Sequence, residues 1–108
     1  MNVRLYVWQR ATAALMLPLV LLHVAVIFYA TRRGMTAAEI LARTRGSIVW
    51  AALYGTFVVA AAIHAAIGVR NMLVEWSPVG ERAASLFATA FGAALLLLGL
   101  RAVAAVVL

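Results

Sequence analysis

Three long apolar runs, separated by two short polar connections, dominate this chain of 108 residues. They extend from about Ala11 to Ala30, from Ser47 to Met72, and from Ala83 to the C-terminus. Each is close to the roughly 20 residues that a helix needs to cross about 30 Å of hydrocarbon. Only helices and closed barrels satisfy every backbone hydrogen bond inside lipid, and Ala/Leu/Val runs without alternation read as helices. With 68% hydrophobic residues, 11% charged residues and a mean hydropathy of +1.08, the chain could not cover its apolar surface as a soluble domain. The expected fold is an all-α membrane protein: one domain of three transmembrane helices, up-down-up, with spans at about 11–30, 47–72 and 83–106.

Local signals refine this layout. Pro18 lies inside the first run, where a missing N–H predicts a kink. The preceding stretch Met1–Arg10 is expected at the membrane interface, anchored by Tyr6 and Trp8. Thr36-Ala-Ala-Glu39 is a capping-box signature, predicting a short surface helix from Ala37 to about Thr44 in the first connection. Ser77-Pro-Val-Gly-Glu-Arg82 reads as a tight turn.

The chain has no cysteine, which excludes disulfides, thiolate zinc sites and iron–sulfur ligation on it. Its nine basic residues are all Arg, set against three Glu, for a net charge of +6. The arginines sit at helix ends and loops, so anionic lipid headgroups or propionates are expected partners and nucleic acid is not. Arg4, Arg10, Arg70 and Arg82 fall on one side of the membrane, and Arg32, Arg33, Arg43 and Arg45 on the other. That balance leaves the positive-inside rule nothing to decide. The first apolar run is a full span with no small-residue cleavage site after it, so no signal peptide is expected.

Both histidines, His23 and His64, fall inside spans, where a coordinating side chain reads as functional by default. The structural alternative for each is a neutral imidazole bonded to a neighbouring helix carbonyl. His64 shares a helical face with Ala60, Ala61 and Gly68, and the glycine predicts an open space for a flat ligand. Small residues also serve helix packing. The run His64-Ala-Ala-Ile-Gly-Val-Arg-Asn-Met-Leu-Val-Glu-Trp76 therefore reads as a haem-binding helix that ends at a quinone-accessible interface. Helical rise places His64 about 12 Å from Met72 and His23 about 20 Å from Arg10 on the same side. That mismatch of about 8 Å argues against one iron held by both, so each needs a ligand from a second membrane subunit.

Arg70, six residues beyond His64, is positioned either to pair a haem propionate or to snorkel to headgroups. Glu75 could deliver protons to a reduced quinone, and the Trp76 indole could donate to a quinone carbonyl. The alternative is an aromatic-belt residue beside a surface charge. Arg10 and Thr12 open the first helix on the same side. Arg101, late in the third helix, is expected either to snorkel or to pair a propionate of a second haem near His23.

These residues resemble the membrane-anchor (cytochrome b) subunits of succinate dehydrogenase and fumarate reductase over nearly the whole length. The resemblance rests on Gln9-Arg10-Ala-Thr-Ala13 opening the first helix, on the three-helix layout, and on His64-x-x-x-Gly68-x-Arg70-x-x-x-x-Glu75-Trp76 closing the second. It implies that His64 is an axial ligand of a haem b shared with a second anchor subunit. It implies a quinone pocket bordered by Arg10, Glu75 and Trp76, below flavoprotein and iron–sulfur subunits, with the N-terminus facing the cytoplasm of a bacterial inner membrane. The family usually has Asp-Tyr where this chain has Glu75-Trp76, and an indole can only donate where a phenol also accepts. Members with two haems carry a histidine in each of the first two helices, which would give His23 a distal haem. No dehydrogenase activity is expected of the chain alone. The alternatives are a b-type cytochrome subunit of another quinone-linked oxidoreductase, a small multidrug-type transporter, and a haem-free anchor. The cytochrome would want more histidines, and the transporter would want four spans and an acidic residue in the first.

Overall fold

Each apolar run forms one continuous helix in the computed structural model, which describes residues 3–108. The order is α1 (Val3–Arg32), α2 (Ala37–Thr44), α3 (Ile48–Trp76) and α4 (Glu81–Val107). The three long helices are long and apolar enough to cross a membrane. With helical rise of 1.5 Å per residue, their near-parallel packing accounts for the elongated shape of 48 × 23 × 22 Å.

The helices run past the apolar segments at their ends. Val3 to Arg10 forms the first turns of α1, continuous with the span; Met1 and Asn2 lie outside the described residues. Pro18 sits within α1 without ending it. The expected capping box is present at α2: the Glu39 N–H donates to Thr36 Oγ1 at 3.2 Å, and the Thr36 N–H donates to Glu39 Oε2 at 3.4 Å. The second connection is held by Ser77, whose hydroxyl donates to the Leu73 carbonyl at 2.6 Å and accepts from the Val79 N–H at 3.2 Å.

α3 is the central element, packing against both α1 and α4. Lipid offers no hydrophobic drive for helices to associate, so close packing of small residues has to bring them together. Ala84, Ala88 and Gly92 recur every fourth residue along α4 and are all buried. A Cβ at Gly92 would stand 2.8 Å from the Ala66 Cβ, and one at Gly99 would stand 2.5 Å from Val58 Cγ1. Both glycines are therefore places where the α3 surface occupies the room of a side chain. α1 is held more lightly, burying only Thr12 and Leu19. α2 closes the far end of the bundle: Thr44 Oγ1 donates to the Val106 carbonyl at 2.6 Å, and the Gly46 N–H donates to the Val107 carbonyl at 2.7 Å. These bonds satisfy carbonyls that the last turn of α4 leaves without intrahelical donors.

Gly92→Val is expected to destabilise the protein by about 1–3 kcal/mol, the usual cost of forcing volume into a packed contact. Thermal unfolding of the detergent-purified protein measures this, with Gly55→Val as the control, since a Cβ at Gly55 meets nothing within 4 Å.

Candidate functional site

His64 lies in the second half of α3, half-buried, where α1 crosses it. Its Nδ1 is 3.2 Å from Thr12 Oγ1. The partner is thus a side-chain hydroxyl on α1, where the sequence left a helix carbonyl as the alternative. Thr12 in turn lies 2.8 Å from the Trp8 carbonyl oxygen and 3.1 Å from that of Gln9, the back-bonding that buried threonines adopt in helices. With Nδ1 engaged, Nε2 remains as the nitrogen that can take an external partner.

Gly68, one turn beyond, does not face an empty space within the chain. The Gln9 amide covers it, with Gln9 Nε2 at 3.4 Å from where a Cβ would stand. Gln9 Oε1 is buried there without a hydrogen-bond partner. The Gln9 side chain of α1 thus lies in van der Waals reach of this position.

His23 occupies a different setting. Its ring meets Tyr54 edge-on at 5.6 Å and Phe57 at 5.4 Å, and its Nδ1 is buried without a hydrogen-bond partner. It borders a largely apolar cavity of about 640 Å³ formed by all four helices, with Trp50 and Gly99 on its walls and Tyr29 and Arg43 among its lining. The volume lies in the range of pockets that take small molecules and cofactors. Arg101 is exposed and is not among the residues lining this cavity; Arg43 of α2 is. Arg43 was not singled out in the sequence, because only the fold of α2 back toward the bundle brings it there.

The two imidazoles are far apart in depth. His64 stands level with Thr12, and His23 lies eleven residues farther along α1, about 16 Å at the helical rise. The sequence estimate of about 8 Å was too small because its two reference points, Met72 and Arg10, are not level: with Thr12 beside His64, the helix from His64 to Met72 reaches past Arg10 toward the start of α1. Both estimates separate the two histidines into different sites.

Arg70 is engaged within the chain, its Nε donating to Ser85 Oγ at 3.0 Å and its Nη1 to Asn71 Oδ1 at 3.1 Å. It ties α3 to α4 and does not simply extend to headgroups, while its remaining guanidinium donors stay open to an anion. Arg10, Glu75 and Trp76 stand at the same end of the bundle as exposed side chains. The Arg10 guanidinium lies 5.9 Å from the Tyr6 ring centroid, and Trp76 is 84% exposed. Among the described residues, no three His, Cys, Asp or Glu side chains converge, so this chain alone does not build a closed metal cage. A second groove, of about 470 Å³, runs between α1 and α3 past Thr12, with Ala52, Gly55, Thr56 and Ala60 among its lining.

Ser85→Ala is expected to cost about 1.5–3 kcal/mol, a hydrogen bond to a charged donor. Arg70→Lys should cost a similar amount, because the Nε donor is lost although the charge stays. Melting temperatures of the purified variants test both.

Residues 1–101 match the family model described as succinate dehydrogenase/fumarate reductase transmembrane subunit. Neither the curated proteins nor the solved structures gave a match.

Proposed function

This chain belongs to the succinate dehydrogenase/fumarate reductase transmembrane subunit family, and on that premise we propose that it holds haem b with a partner anchor and borders a quinone site. As an integral membrane subunit of that family, it acts in the bilayer beside catalytic partner subunits. The proposal specifies those partners as a second anchor subunit, an iron–sulfur subunit and a flavoprotein. Succinate or fumarate chemistry belongs to the latter two, and this chain is the membrane end of the electron path. We place it in a bacterial inner membrane with its N-terminus toward the cytoplasm.

The observation that carries the haem assignment is the state of His64. Its Nδ1 is held by Thr12, so the ring is fixed between two helices with Nε2 free. A metal-ligating imidazole has this arrangement, one nitrogen bonded to protein and the other turned to the metal. Bound haem supplies a one-electron store between the iron–sulfur centres and quinone. His64 would hold its iron from this chain, Arg70 would offer its free donors to a propionate, and a further ligand would come from the partner anchor. The groove between α1 and α3, lined by small residues, is the surface that a partner helix can approach closely.

At the same end of the bundle, Arg10, Glu75 and Trp76 border the quinone. Arg10 provides positive charge, the Trp76 indole donates to a quinone oxygen, and the Glu75 carboxyl passes protons from the aqueous side. Glu75→Gln is expected to lower succinate:quinone turnover by on the order of 10²-fold, the scale of a lost acid–base group. Oxidation of succinate by a soluble dye should be unchanged. Equal loss of both activities would remove Glu75 from the quinone site.

A second reading adds a distal haem at His23, favoured by the apolar cavity that this imidazole borders and by Arg43 in its lining. Reduced-minus-oxidised spectra and pyridine haemochrome quantitation of the purified complex test both readings. Loss of all haem b in His64→Ala, with none lost in His23→Ala, supports a single haem at His64. Partial loss from each substitution supports two haems. A wild-type complex without haem b overturns the ligand assignment and leaves a structural anchor.

A further inference from the structure

We infer that Thr12 is the positioning residue of His64, fixing which ring nitrogen is presented to the metal and setting the basicity of that nitrogen. The inference rests on the haem assignment above and adds to it a residue on a different helix.

The argument is one of counting protons. A threonine hydroxyl has one hydrogen and two lone pairs. Thr12 Oγ1 has two carbonyl oxygens within reach, Trp8 at 2.8 Å and Gln9 at 3.1 Å, and neither can donate. The hydroxyl hydrogen is therefore committed to the backbone of α1. What faces His64 Nδ1 at 3.2 Å is an oxygen lone pair. Two lone pairs at that distance would repel, so Nδ1 carries the hydrogen and donates it to Thr12. The free lone pair is then on Nε2, the arrangement that would let His64 hold a metal through that nitrogen.

Burial makes this assignment hold. Thr12 is 5% exposed, so water does not readily compete for the hydroxyl. Rotating the hydroxyl hydrogen toward His64 would forfeit its bond to the Trp8 carbonyl. The helix backbone thus polarises Oγ1, and Oγ1 accepts from the imidazole. A donated hydrogen bond increases the basicity of a ligating imidazole and favours the higher oxidation state of the metal. Thr12 therefore holds the haem potential lower than an unbonded histidine would.

The test uses the detergent-purified complex carrying Thr12→Val, Thr12→Ala, Thr12→Ser or His64→Ala, with haem content and equilibrium redox titration as readouts. Valine keeps the shape of threonine and removes the acceptor; alanine removes it without steric demand, should the valine complex fail to assemble. Both are expected to weaken haem retention by about 10- to 100-fold and to move the haem midpoint to more positive potential. Serine is expected to restore both properties toward wild type. If His64→Ala loses haem while Thr12→Val or Thr12→Ala keeps the wild-type haem content and midpoint, the inference is overturned and the haem assignment stands. A midpoint shift that serine fails to reverse also overturns it, since the hydroxyl is then not the cause. If His64→Ala retains its full haem, the underlying assignment fails, and the role of Thr12 fails with it.

Discussion

The contact between α3 and α4 at Gly92 and Gly99 is the constraint on which the rest of the arrangement depends. In lipid, two apolar helices gain little by hiding side chains from their surroundings, so they associate where their backbones come close enough for dense packing. Ala66 and Val58 of α3 take up the space that side chains would fill at those two glycines. This fixes the rotation of α3. Once α3 is fixed, His64 must face α1, Arg70 must face Ser85 on α4, and Trp50, Tyr54 and Phe57 must face the gap at the opposite end.

That rotation divides the molecule into two polar sites of different character. At one end His64 pairs with Thr12, and Arg70 with Ser85 and Asn71, while the Gln9 Oε1 is left buried without a partner. At the other end the His23 Nδ1 is buried among aromatic rings without one. In hydrocarbon an unpartnered polar atom is costly, and water is not at hand to relieve it. α1 buries just two of its residues, so most of its surface is left for lipid or for another subunit. A chain whose α1 leaves so much of its surface uncovered by α3 and α4 is suited to completion by a partner.

Much of this was legible in the sequence. The three spans follow from hydropathy, α2 follows from the Thr36 and Glu39 pair, and the turn at Ser77 follows from Pro and Gly. These are local features, set by residues within a turn or two of each other. His64, Arg70, Glu75 and Trp76 were recognisable because their spacing lies within one helix. Thr12 stood in the Gln9-Arg10-Ala-Thr-Ala13 motif, yet nothing within α1 tells that its hydroxyl meets an imidazole on α3. Likewise, Gly92 and Gly99 look like any glycines of an apolar helix, and Arg43 like any basic residue of a surface helix.

The sequence by itself determined that the chain crosses the membrane three times and carries two imidazoles at membrane depth. Hydropathy and backbone hydrogen bonding in lipid leave no other outcome. Only the tertiary structure decided that His64 is tethered through Nδ1, that the Gln9 amide lies beside Gly68, that Arg70 links two helices, and that His23 borders a cavity. Those outcomes depend on which faces of the helices meet. The faces are chosen by close contacts of small residues far apart in the chain, whose identity no local pattern reveals.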